Sequence, residues 1–299
     1  MSKRRFRYML VAVFAFLVLP VAAAVLSETY YFEVEKDDVR ALDVALDVAL
    51  GKVFIGKAER GYHFQAEVEM ESEAYKPEFE YDGRGRRGRI AIGMEQQDRE
   101  GVSFRSVSDA VKNSTWKLRL GESVPVNLAI DMGMANGDFD FTGIPIEEFT
   151  LDTGISTTSV DFPQRNPVPM SRLTIDAGAS KFYGHQLGNA RFDRFVFDGG
   201  AGKFYLDFTG RALEPGSRAD VDLGMADIEI VVPDHLPVII RAPDSWTCKV
   251  RVPDGFIKER DGVYRTPDAR DREAAFYLVV EAGIGRVNFV TPAEAELDR

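Results

Sequence analysis

From residue 30 onward apolar and polar positions alternate with a period of two, and small residues interrupt the alternation at regular intervals. Period two places successive side chains on opposite faces of a strand, so the pattern predicts a β protein. One phrase is written seven times: apolar-x-apolar, an acid, any residue, a small residue, an apolar or small residue, another small residue, then a fresh alternation. The copies occupy 44–51, 128–135, 149–156, 173–180, 195–202, 219–226 and 278–285. From Asp131 the acids recur at Asp152, Asp176, Asp198 and Asp222, at intervals of 21, 24, 22 and 24 residues.

Counted from the acid, positions −3, −1 and +3 share one face and are predicted to point inward. The acid and the small residues at +2 and +4 share the other. The next apolar residues sit at +6 and +8, as in Val53 and Ile55, Phe204 and Leu206, Ile228 and Ile230, and Val287 and Phe289. That odd shift requires a bend, expected near +4 and +5. A chain that bends once per two dozen residues coils, and stacked coils bury a continuous apolar interior. The predicted fold is therefore all-β, a single-stranded right-handed parallel β-helix, or β-solenoid. A meandering β-sandwich is the alternative, but it does not account for the same corner returning at constant spacing. The repeat glycines Gly133, Gly154, Gly178, Gly200, Gly224 and Gly283 permit tight corners and close stacking. Alternatively they leave a bare outer strip for a partner strand or ligand.

The spacing from Asp47 to Asp131 is 84 residues, close to four periods, which predicts degenerate rungs in between. A polar, poorly patterned stretch at 96–114 marks a junction, and 244–274 reads as a loop or hairpin inserted before a closing strand. The expected organisation is an export segment at 1–24, an N-terminal β region at 25–113, the solenoid at 114–290 and a tail at 291–299.

Lys3, Arg4, Arg5 and Arg7 precede an apolar run from Met9 to Leu19, followed by Pro20 and Ala22-Ala23-Ala24. This is the layout of a secretory signal peptide. An uncleaved anchor over residues 8–26 is the other reading, and only then is a membrane involved. Both place the remaining chain outside the cytoplasm, in the periplasm or on the cell surface. Removal of the segment leaves 33 basic against 48 acidic residues, a net charge of −15. Such a surface repels nucleic acid and attracts cations and basic partners. The basic run Arg84–Arg89 reads as an exposed Gly-rich turn, with a polyanion-binding patch as the alternative. Cys248 is the only cysteine, so no disulfide forms within the chain, and it reads as a strand residue.

Stacked in register, Asp131, Asp152, Asp176, Asp198 and Asp222 would repel one another, and something must offset that. Corner backbone amides donating to each carboxylate are one answer; a ladder of Ca²⁺ ions is the other. Lys181 and Lys203, five residues after Asp176 and Asp198, are expected as salt-bridged surface partners. His63, His185 and His235 have no second ligand at metal spacing, and no nucleophile elbow or phosphate loop is present. No catalytic residue and no cofactor is assigned.

Trp116-Lys117-Leu118-Arg119-Leu120 with Val124-Pro125, the acid-x-Gly phrases, Gly283-Ile284-Gly285-Arg286-Val287 and Tyr75–Tyr81 together resemble the toastrack-type extracytoplasmic domain (DUF2154/DUF4097) of LiaF-like, cell-wall-antibiotic-response proteins. The resemblance covers most of residues 30–290. It implies a β-solenoid in the envelope with a role in sensing envelope stress, and brings no catalytic residues. LiaF-like proteins often carry several membrane helices ahead of this domain, whereas this chain shows one export segment. The expected function is a non-catalytic envelope scaffold or adaptor whose partner is an envelope protein or cell-wall component. A carbohydrate-active β-helix enzyme and a self-assembling structural solenoid are the alternatives. The irregular terminal segments point to caps and a monomer.

Overall fold

The computed structural model describes residues 27–70, 75–96, 114–270 and 273–297. The signal-peptide and anchor readings of 1–26, and all but the rims of the expected junction, lie outside these residues. Seven rungs form the body: β2 (Ala41–Lys57), β7 (Val126–Asp140), β8 (Ile146–Thr153) with β9 (Thr157–Asp161), β10 (Met170–His185), β11 (Phe192–Asp207), β12 (Arg218–Val231) and β17 (Phe276–Val290). Each pairs with the next in parallel register, acid opposite acid: Asp47 with Asp131, then Asp152, Asp176, Asp198, Asp222 and Glu281. The chain is an all-β parallel β-helix, consistent with the right-handed winding expected of such crossovers.

Each rung has two straight legs joined at a corner. On the first leg, positions −3 and −1 stack into two buried columns, one running from Val44 through Leu128, Phe149, Leu173 and Phe195 to Leu278, the other from Leu46 through Ile130, Leu151, Ile175, Phe197 and Val221 to Val280. On the second leg, +6 and +8 do the same with Val53, Phe182, Phe204, Ile228 and Val287, and with Ile55, Phe139, Val160, Leu206, Ile230 and Phe289. Burying these side chains contributes roughly 1.5–3 kcal/mol each, set against chain entropy.

The corner lies two to three residues earlier than the apolar pattern predicts. Position +1 is still buried, as at Met132 and Leu223, but +2 and +3 both face outward and +4 turns inward again, as at Ala135, Ser156 and Ala226. Register skips +2: Ala177 pairs with Gly199 and Ala179 with Ala201. Two successive outward residues reverse the parity, so the +3 residues Met134, Ile155, Met225 and Ile284, expected inside, are exposed.

Among the described residues, the 84-residue interval holds one degenerate parallel rung, split between two strands, instead of a stack of them. β2 pairs directly with β7, and the intervening chain folds outward as a cap. β5 (Arg87–Gln96) lies parallel to the first leg of β2 and β6 (Thr115–Leu120) to the second. β4 (Tyr75–Asp82) runs antiparallel to β5, β3 (Tyr62–Met70) antiparallel to β6, and β1 (Glu28–Glu35) antiparallel to β3. Strands β3 and β4 alternate strictly and lack the corner phrase, so they stay straight and pair antiparallel with their neighbours. The opposite end repeats the device: β13 (Val238–Arg241) and β14 (Cys248–Arg251) pair with the outer side of β17, and β16 (Val263–Arg265) joins β13 to β15 (Ile257–Arg260). At both ends, chain without the phrase covers the terminal rung that carries it, which protects the sheet edge.

One hydrophobic cluster extends from Val34 to Phe289. Residues 292–297 form a short helix, α1, whose Thr291 hydroxyl accepts from the Glu294 amide while Glu294 accepts from the Thr291 amide. Between rungs, buried Asn166 accepts from the Ile146 amide at 3.1 Å and donates to the carbonyls of Ile146 at 2.7 Å and Ala190 at 3.0 Å, sewing successive return loops together.

Candidate functional site

The corner presents three parallel columns along the helix axis. The first is the ladder Asp47, Asp131, Asp152, Asp176, Asp198, Asp222 and Glu281, every member exposed. Adjacent rungs are about 4.8 Å apart, so each carboxylate has like neighbours within reach. Among the described residues, the amide–carboxylate bonds expected at the corner are not found. The amides are already used between rungs, Gly154 donating to the Met132 carbonyl, Ile155 to Gly133 and Ala179 to Gly154. Burial first, and then the charges of Asp176 and Asp131, push the Asp152 carboxyl above its ordinary range. The aspartates named as a Ca²⁺ ladder stand in single file, and among the described residues no three His, Cys, Asp or Glu side chains converge to hold a metal.

The second column is backbone. A Cβ on Gly133, Gly154, Gly178, Gly200, Gly224 or Gly283 would lie 2.6–2.7 Å from the carbonyl oxygen at the same place in the preceding rung. Glycine there allows the corners to stack, and it leaves the strip beside the carboxylates bare. A shallow groove of about 290 Å³ lies there, lined chiefly by Asp176, Asp198, Asp222, Gly178, Gly200 and Gly224.

The third column is apolar. Met134, Ile155, Met225 and Ile284 are 53%, 58%, 61% and 48% exposed, with Ala179 and Ala201 exposed between them. Trp246, 92% exposed, lies two residues ahead of Cys248, which pairs with Gly285, the residue after Ile284. The ridge escaped the sequence pattern because its residues carry inward parity on an unbent strand; only the position of the corner reveals them. Beyond the ridge, on the second leg, Lys181 stacks on Lys203. Among the described residues neither lysine forms an ion pair with Asp176 or Asp198, from which the corner separates them. Arg286 instead pairs with Asp227 at 2.7 Å.

The remaining candidate residues are dispersed. Cys248 is a buried strand residue of β14 whose thiol burial pushes up. Buried His63 accepts from the Asp37 amide at 3.1 Å and is a pin in the N-terminal cap. His185 packs on the ring of Tyr205, and His235 sits in the loop after β12. The basic run 84–89 spans the turn from β4 into β5, with Arg84 on Asp82 and Arg87 on Asp43. Among the described residues no helix is long and apolar enough to cross a membrane.

A parallel β-helix with capped ends and an acid, glycine and apolar corner defines the class of this protein. The chain belongs to the toast_rack family: the family model for its N-terminal domain, DUF2154, matches residues 24–182. Among solved structures, the chain is similar to a candidate cell adhesion protein from Clostridium sporogenes, with 16% identity and a TM-score of 0.46 over 89% of this chain and 100% of that one. It is also similar to candidate adhesins from Bacteroides fragilis (7% identity, TM-score 0.39, 89% and 97% covered) and Parabacteroides merdae (8%, 0.38, 89% and 94%). No curated protein matches the sequence.

Proposed function

We propose that this protein is a non-catalytic, exported scaffold or adaptor of the cell envelope that takes part in sensing envelope stress, and that it contacts an envelope protein or cell-wall component through the solenoid corner. The observation that carries the reading is the corner itself: seven rungs hold an exposed acid in register, and the same edge exposes an apolar ridge that an isolated solenoid gains nothing by displaying. Membership of the toast_rack family and the LiaF-like segments of the sequence support the envelope role. The carboxylates stand in one file instead of facing one another across a cleft, which favours binding over acid–base hydrolysis.

The test compares cells lacking the protein, cells with the parent and cells with Met134→Ser, Ile155→Ser, Met225→Ser and Ile284→Ser combined, under a cell-wall-active antibiotic. The amount of protein in the envelope is followed by immunoblot. The reading expects the deletion and the equally abundant ridge variant to lose tolerance alike. A deletion with parental tolerance and parental stress-gene expression would remove the stress role.

A further inference from the structure

We infer that the corner is the docking site for a basic amphipathic α-helix of a partner protein, lying along the solenoid axis between the acid ladder and the apolar ridge. The inference rests on the reading of the corner as the contact surface and names what it contacts. Three features select the occupant. The glycine strip is a floor without side chains, so a rod-like partner can approach the backbone along several rungs. Its two sides differ: carboxylates line the groove on one side, and the exposed column beyond the glycines on the other carries Ile155, Ala179, Ala201, Met225 and Ile284. A helix with adjacent basic and apolar stripes complements both sides at once.

Spacing separates a helix from a strand. Carboxylates repeat about every 4.8 Å, a helix presents side chains on one face about every 5.4 Å, and a strand about every 6.6 Å. The helix drifts by roughly 0.6 Å per rung, within the reach of a lysine stem, whereas the strand loses register by the third rung. Six intervals span about 29 Å, the length of roughly 19 helical residues. The formal charge of −11 opposes a second copy and an anionic membrane surface, and favours a cationic partner. Lys181 and Lys203 beyond the ridge repel the same basic stripe, which fixes the side of the ridge on which the helix lies.

The probe is a fluorescein-labelled 20-residue peptide with Lys at i, i+4, i+7 and i+11 and a neighbouring Leu stripe, titrated by anisotropy into the protein as cells process it. The inference expects it to bind at least tenfold tighter than a scrambled peptide of the same composition. Asp176→Asn, Asp198→Asn and Asp222→Asn together, and separately Ile155→Ser with Met225→Ser, each weaken binding at least tenfold. Glu78→Gln with Glu80→Gln, exposed acids on β4, leave it unchanged. Thermal melts confirm that the variants fold. Equal binding of the scrambled peptide, or undiminished binding by either corner variant, overturns the inference. So does a dimer in sedimentation that the ridge variant abolishes, because a second copy would then cover the ridge. Loss of tolerance in the ridge-variant cells without peptide preference in vitro would keep the corner as a contact surface and remove the helix.

Discussion

A Cβ on Gly200 would lie 2.6 Å from the carbonyl oxygen of Gly178, one rung away. The same contact recurs at Gly154, Gly178 and Gly224, so each corner is stacked more closely than any side chain permits. Gly200→Ala is expected to destabilise the protein by about 1–3 kcal/mol, since the carbonyl is held in the ladder and cannot step aside. Thermal unfolding checks this. A Gly93→Ala control, where a Cβ meets nothing within 4 Å, should unfold close to the parent temperature.

Asp152 stands between Asp131 and Asp176. Its carboxyl is raised in the folded state by burial and by those two charges, so the native protein takes up this proton at higher pH than the unfolded chain does. The ionised group therefore subtracts from stability at neutral pH, and the loss is relieved as pH falls through the raised value. Asp152→Asn should stabilise by up to about 1 kcal/mol at pH 7. The difference between variant and parent should shrink as the pH is lowered through the carboxylate range, which melts across pH would read directly.

Asn166 replaces a missing stretch of ladder in the return loops, bonding both backbone groups of Ile146 and the carbonyl of Ala190. Truncation to Ala strands buried polar groups, each costing about 1–3 kcal/mol. For a chain of this size that lowers the melting temperature by roughly 2–4 °C per kcal/mol. Asn166→Asp should be similarly harmful, because it supplies no donor to the two carbonyls; a melt of Asn166→Asp at the parental temperature would show that these donations do not matter.

Cys248 is 1% exposed and its thiol is held above its ordinary pKa by burial in the C-terminal cap. A disulfide reagent at pH 8 should react slowly with the native protein and at once in denaturant. The native rate should rise when the cap is loosened, as by Val250→Ala on β14. Rapid labelling of the parent would mean that the cap opens without global unfolding.

The repeat was legible because acid, glycine and apolar residues recur at set offsets, and the register of seven acids follows from stacking identical phrases. The 84-residue interval misled because length alone resembles four periods, whereas a continuous bent rung requires the corner phrase, and β3, β4 and β5 do not carry it. The placement of Met134, Ile155, Met225 and Ile284 was equally hidden. Alternation reports relative facing along a straight strand and says nothing about where that strand bends.

By itself, then, the sequence determined that the chain is β, that it coils, and which residues lie level with one another, since these depend on short-range periodicity and on self-similarity. The tertiary structure decided where each corner turns, which apolar column is left in solvent, and how the chain doubles back to cover its own terminal rungs. Those outcomes depend on contacts between segments tens of residues apart: a carbonyl of one rung fixes the glycine of the next, and β2 meets β7 only because the cap between them has folded aside.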